Sequence, residues 1–237
     1  MEMKMEFKVL ITDVDGTLTG EGTALHLPAV ELIRKLARKI SVILCSGNTA
    51  CTLMTLSLYM GSNGPFIAEN GGVIGAPFWK PPLQVLASKE APLKALTVLK
   101  KVLGNTIQEI DQIFRLTDVA LRRTVTVEKL KEALSRSGIK VNIFDSGYAI
   151  HLADPNVSKA TGIRETLKRL GIRSCEAVGI GDGLNDVDLL RECGYGVALR
   201  NAPQSLKEIA DHVTTKPYGE GFVEAVTQIF RDHLGER

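Results

Sequence analysis

Short, wholly apolar runs alternate along the chain with longer stretches whose apolar residues recur every three or four positions. Val9, Leu10 and Ile11 form the first run, and residues 7–12 read as a strand buried on both faces. In residues 28–39, Leu32, Ile33 and Leu36 lie opposite Arg34, Lys35, Arg38 and Lys39. That is an amphipathic helix, with Pro28 suited to its first turn. A strand over 41–45, a helix over 48–61 ending at Gly61, and a short strand over 65–72 follow. This strand–helix alternation predicts a parallel sheet with helices on both faces. The pattern then changes. Residues 79–92, "WKPPLQVLASKEAP", carry three prolines and mark a boundary. Beyond them come a helix over 93–103, an extended stretch over 113–123 and a helix over 127–137. A hairpin follows, in which "IKVNIF" and "YAIHLA" flank the turn "DSG". This part is α+β with antiparallel pairing. The first pattern returns after residue 156, with helices over 159–170, 185–193, 203–210 and 221–234 and strands over 176–182 and 196–199. The domain reading is an α/β core formed by 1–80 and 156–237, interrupted by a smaller α+β domain at 81–155.

Composition narrows the classes. With 237 residues, 44% apolar and 24% charged, the chain can bury a proper core. A net charge of +2 without a basic stripe argues against nucleic-acid binding, and the basic face at 32–40 reads as a solvated helix surface. Cys45, Cys51, Cys175 and Cys193 form no C-x-x-C pair and lie at no zinc-site spacing, a pattern that suits a reducing cytosol. The opening "MEMKMEFKV" has no apolar segment of the signal-peptide kind, and no run approaches the ~20 residues of a membrane span.

The chemistry gathers where apolar strands end in acids. Asp13 and Asp15 follow the first strand, with Gly16 and Thr17 next. Ligands of open α/β sheets bind at that edge; the plainer alternative is two acids capping a turn. A second strand ends in "GIGDGLNDVDLL", residues 179–190, which places Asp182, Asn185 and Asp186 together. Helix capping explains one of these acids but not both. The glycines there read G-x-G-x-G, with Leu184 where a dinucleotide fingerprint needs glycine. Four carboxylates within ~5 Å would repel by about 3 kcal/mol per pair at an effective dielectric near 20, which calls for a cation. An all-oxygen donor set suits a hard ion such as Mg²⁺. Ser46 and Gly47, in "CSGN" before a helix, offer a hydroxyl and free N–H groups to a phosphate, or simply an N-cap. Lys159 opens a helix, where a cation opposes the macrodipole; balancing acids and a phosphate would explain it.

Taken in order, "DVDGT" (13–17), Ser46 in "SGN", Lys159 and "GDGLND" (181–186) resemble the four motifs of the haloacid dehalogenase superfamily. The resemblance spans the whole chain and implies a Rossmann-like doubly wound core with an inserted cap. Thirty-two residues between Asp13 and Ser46 leave no room for a cap there. The long insertion lies between Ser46 and Lys159, as in Cof-type members with an α/β cap. "AENGGVI" (68–74) and "GYAIHL" (147–152) resemble the archaeal phosphoglycolate phosphatase branch. Sucrose-phosphate and mannosyl-phosphoglycerate phosphatases and phosphomannomutases share much of this layout, and a catalytically silent phosphate- or metal-binding protein is a further alternative.

The resemblance implies a cytoplasmic, Mg²⁺-dependent phosphomonoesterase acting on a small phosphorylated metabolite, with a homodimer as its assembly. Asp13 would be the nucleophile. Asp15 would be the general acid, protonated because neighbouring carboxylates crowd it. Asp13, the Asp15 carbonyl and Asp182 would bind the metal, with Asp186 close by and Asn185 behind. Thr17, Ser46, Gly47 and Lys159 would serve the phosphoryl group. For a substrate that is itself an acid, Arg115, Arg122, Arg123 and His151 are cap candidates for its carboxylate.

Overall fold

A computed structural model describes residues 6–235. Residues 1–5, the start of the opening segment read as carrying no signal peptide, lie outside the described residues. The apolar runs become the inner strands β1 (Val9–Thr12), β2 (Ser41–Cys45) and β3 (Phe66–Ala68). Helices α1 (Leu27–Leu36) and α2 (Ala50–Met60) connect them. Gly61, left-handed at φ 75°, stops α2 as expected. Two strands not foreseen follow, β4 (Val73–Gly75) and β5 (Leu83–Val85), which pair antiparallel at the sheet edge. The core sheet therefore runs past residue 80, where the sequence reading closed its first core segment. Three-residue strands beside prolines are too short to show a period.

The cap comprises α3 (Glu90–Leu103), β6 (Glu109–Ile110), β7 (Val119–Leu121), α4 (Val127–Leu134), β8 (Asn142–Asp145) and β9 (Ile150–Ala153). The chain then returns through α5 (Lys159–Leu170), β10 (Ala177–Gly181), α6 (Val187–Glu192), β11 (Tyr195–Ala198), α7 (Gln204–Lys207), β12 (His212–Val213), α8 (Tyr218–Ile229) and α9 (Arg231–Leu234). Among the described residues the core sheet has eight strands in the order β12-β11-β10-β1-β2-β3-β4-β5, and the cap sheet has four in the order β6-β7-β9-β8. All core pairings from β12 to β3 are parallel.

Strand alternation sorts the core into two layers. Leu10, Val42, Leu44 and Ile180 pack with α1, α2 and α8 through Ile33, Leu53 and Phe222. Val9, Ile11 and Ile43 face the other way, against Ile163 and Leu167 of α5 and Leu189 of α6. The same rule works in the cap. Ile150 and Leu152 of β9 join Leu99 and Leu130 in the cap's own core, and His151 between them turns to the opposite face, toward the core domain. No helix among the described residues is long and apolar enough to cross a membrane.

Candidate active site

Four adjacent parallel strands, β10, β1, β2 and β3, end side by side. The residues immediately after them are Asp182, Asp13, Ser46 and Glu69. Apolar strands buried on both faces thus bring polar groups to one carboxyl edge, where a parallel sheet presents its ligand site.

Asp13, Asp182 and Asp186 each place a carboxylate oxygen within 4.8 Å of the others. Lys159, only 1% exposed, reaches into this cluster. Its Nζ donates to Asp186 Oδ1 at 2.5 Å, Asp13 Oδ1 at 2.6 Å and the Cys45 carbonyl at 3.0 Å. These contacts use all three ammonium donors, so the lysine that sequence assigned to the phosphoryl group is bound first to the acids. Burial works against its charge, but Asp13 and Asp186 outweigh that and hold its pKa above the usual value. Burial pushes Asp13 well above the carboxylate range; Lys159 pulls it back, and Asp186 and Asp182 add to the rise. Burial, then Asp186, pushes Asp182 up to about 7. With all three acids ionised, the state a bound cation favours, one ammonium would leave two negative charges. That balance, together with an all-oxygen donor set, fits a hard divalent cation.

The loop after β1 holds the cluster in shape. Thr17 donates from its hydroxyl to Asp182 Oδ1 at 2.6 Å, and Asn201 donates to Asp182 Oδ2 at 2.9 Å. Thr17 is fully buried and orients an acid, rather than facing a phosphate as the sequence reading had it. Gly16 has φ 82°, and a Cβ there would lie 2.3 Å from Asp182 Oδ2, so both conformation and space require glycine. Asp186 Oδ2 accepts from the N–H groups of Asp182 and Gly183 at 3.0 and 2.8 Å. Asn185 stands behind them, its amide 3.3 Å from Asn70 Oδ1.

The side chain of Asp15 is not part of the acidic cluster. Its Oδ2 accepts from Asn48 Nδ2 at 2.6 Å, and Asn48 also donates from its backbone and side chain to Ser46 Oγ. The Asp15 pKa is raised as expected, but burial is the cause; crowding by other carboxylates is not, and the Asn48 hydrogen bond opposes the rise. Asp13, Asp15, Ser46, Gly47 and Asn185 line one cavity of about 240 Å³.

The cap closes this cavity with part of the candidate set. Arg115 and His151 line it, buried to 7% and 3% exposure. Arg122 and Arg123 are exposed and do not line it, and Arg123 pairs with Asp145 at 3.0 Å. Sequence reasoning missed the groups that hold Arg115 and His151 in place. Asp118, fully buried, accepts from Arg115 Nη1 at 2.8 Å and from His151 Nδ1 at 2.9 Å. Burial works to raise its pKa, but His151 and Arg115 outweigh that and hold it below the usual value. Glu69, also fully buried, accepts from the N–H groups of Leu116, Thr117 and Asp118 and from the Thr117 hydroxyl. An acid directly after an apolar strand was the signal that marked Asp13, and Glu69 carries it too.

The chain matches the sequence profile of the haloacid dehalogenase-like hydrolases over residues 10–103 and 87–226. It is 39% identical to a phosphoglycolate phosphatase of Archaeoglobus fulgidus, over 92% of this chain and 95% of that one. It is 38% identical to a phosphoglycolate phosphatase of Methanospirillum hungatei, over 93% and 96% of the two chains. Its fold is similar to a crystal structure of a Thermoplasma acidophilum protein, with a TM-score of 0.84, 24% identity, and 94% and 98% of the two chains covered. With its strand-end acids, buried lysine and covering cap, the chain belongs to the haloacid dehalogenase-like hydrolase family, among its phosphatases.

Proposed function

We propose that the protein hydrolyses 2-phosphoglycolate to glycolate and phosphate through a phosphoryl group carried on Asp13. The observation that supports this reading best is the Asp13 carboxylate at the end of β1, fixed by Lys159 at 2.6 Å beside Asp182 and Asp186, in a cavity it shares with Asp15 and Ser46. A carboxylate oxygen of Asp13 attacks phosphorus as the bond to the leaving oxygen breaks. Asp15 gives its proton to that oxygen, which leaves as the alcohol of glycolate. Asp15, now ionised, takes a proton from water as its oxygen bonds phosphorus. The Asp13–phosphorus bond breaks, phosphate leaves, and Asp15 holds a proton again. Burial, which raises the Asp15 pKa, favours the protonated start this sequence needs. Asn48 orients Asp15 and Ser46 together, and Gly47 keeps the phosphate loop open beneath His151.

Mg²⁺ would be held by Asp13, Asp182 and Asp186, and when bound it supplies neutralisation of phosphoryl charge. A cytoplasmic setting accords with the four free cysteines. The substrate choice draws on the relatives named phosphoglycolate phosphatase. Its test is phosphate release from a panel of phosphomonoesters, with Mg²⁺ and with EDTA. The expected result is fastest turnover of 2-phosphoglycolate and loss of activity in EDTA. Faster turnover of a sugar phosphate overturns the substrate, and full activity in EDTA overturns the metal.

A further inference from the structure

We infer that Arg115 and His151 together receive the carboxylate of the leaving group; this rests on the phosphoglycolate reading above. The two residues reach the cavity from separate parts of the cap, Arg115 from the loop before β7 and His151 from the core-facing side of β9. Asp118 ties them into one unit, with Oδ1 on Arg115 Nη1 and Oδ2 on His151 Nδ1. Arg115 Nη1 also donates to the Gly47 carbonyl at 3.2 Å, which docks the unit on the phosphate loop.

What remains unused points to the ligand. Arg115 Nε is buried and meets no acceptor among the described residues. Nη2 makes no hydrogen bond among the described residues and is not sealed off as Nε is, so it is the guanidinium donor left for a ligand oxygen. On His151, Asp118 takes Nδ1 and leaves Nε2 as the free ring atom. A Cβ built on Gly47 would lie 3.1 Å from this Nε2, so the atom stands directly over the phosphate loop. A guanidinium fork beside an imidazole nitrogen matches the flat, two-oxygen outline of a carboxylate better than a lone hydroxyl. Size agrees. About 240 Å³ is small beside ordinary ligand pockets of roughly 300–1,000 Å³, and it suits a phosphate joined to a two-carbon acid. Asp111, the other acid the cap brings to this cavity, is exposed.

The test compares 2-phosphoglycolate with 2-hydroxyethyl phosphate, the same two-carbon ester with an alcohol in place of the carboxylate. The readout is the ratio of their kcat/KM values in the parent, Arg115→Gln and His151→Gln. The parent should prefer 2-phosphoglycolate, and each substitution should lower the ratio at least tenfold, about 1.4 kcal/mol. If a substitution slows both esters equally, the ratio survives, the residues serve only to hold the cap, and the inference is overturned. A parent that shows no preference overturns the phosphoglycolate reading instead. Should Arg115→Gln not fold, His151→Gln and Arg115→Lys carry the same comparison.

Discussion

Asp118 shows how one side chain ties cap stability to the site. Its carboxylate is fully buried and balances Arg115 while steadying His151. Asp118→Asn leaves the guanidinium without its counter-charge, which should cost on the order of 3 kcal/mol at neutral pH. The folded pKa is depressed, so the contribution is full above the unfolded value of ~4 and is lost as pH falls through the lower folded value. Denaturant midpoints of parent and variant should therefore differ by a constant amount above about pH 4 and converge below it. The strand-end acids, Ser46 and Lys159 were legible in the sequence because each sits where an apolar strand stops or a helix starts. Asp118, Asn48 and Asn201 were not. Their meaning lies in partners such as His151, 33 residues away from Asp118, or Asp15, 33 residues away from Asn48. Thr17 was found, but with its role assigned to phosphate instead of Asp182.

At the scale of elements, the turn after β3 joins three parts of the molecule. Glu69 and Asn70 both adopt left-handed backbone, φ 51° and 53°, which costs on the order of 1 kcal/mol each for residues with a Cβ. The turn takes the Ser46 carbonyl through the Asn70 N–H, lies against Ser158 at the start of α5, and holds cap residues 116–118 through the Glu69 carboxylate. Glu69→Gln puts an NH₂ group among N–H donors. We expect a loss of about 1–3 kcal/mol in unfolding free energy and about a tenfold fall in kcat/KM. Mg²⁺ affinity should stay within twofold, because Glu69 is not among the clustered acids. A denaturation curve and a Mg²⁺ titration read the two effects separately. The strands around this turn also mark where sequence reading stopped. β1, β2 and β10 announce themselves as apolar runs, whereas the β4–β5 hairpin and the two-residue β12 take their register from neighbouring strands. Short partners of that kind are defined by pairing, which a linear pattern does not carry.

For the whole molecule, three acids that share a single ammonium, that of Lys159, are concentrated where the core meets the cap. A cation that binds this cluster only in the folded state must stabilise the fold. At about a hundredfold excess of Mg²⁺ over its Kd, the gain of ~2.7 kcal/mol corresponds to a Tm rise of roughly 5–10 °C. Asp182→Asn should lose most of that rise, and an undiminished rise would place the ion elsewhere. The central claim is that Asp13 carries the phosphoryl group between two half-reactions. Acid-quenched turnover of 2-phosphoglycolate with Mg²⁺, followed by peptide mass spectrometry, tests it most directly. The account predicts a base-labile phosphoryl group on the peptide containing Asp13, absent from Asp13→Asn, which should release no phosphate. Turnover by Asp13→Asn, or a phosphoryl group on another residue, would contradict it.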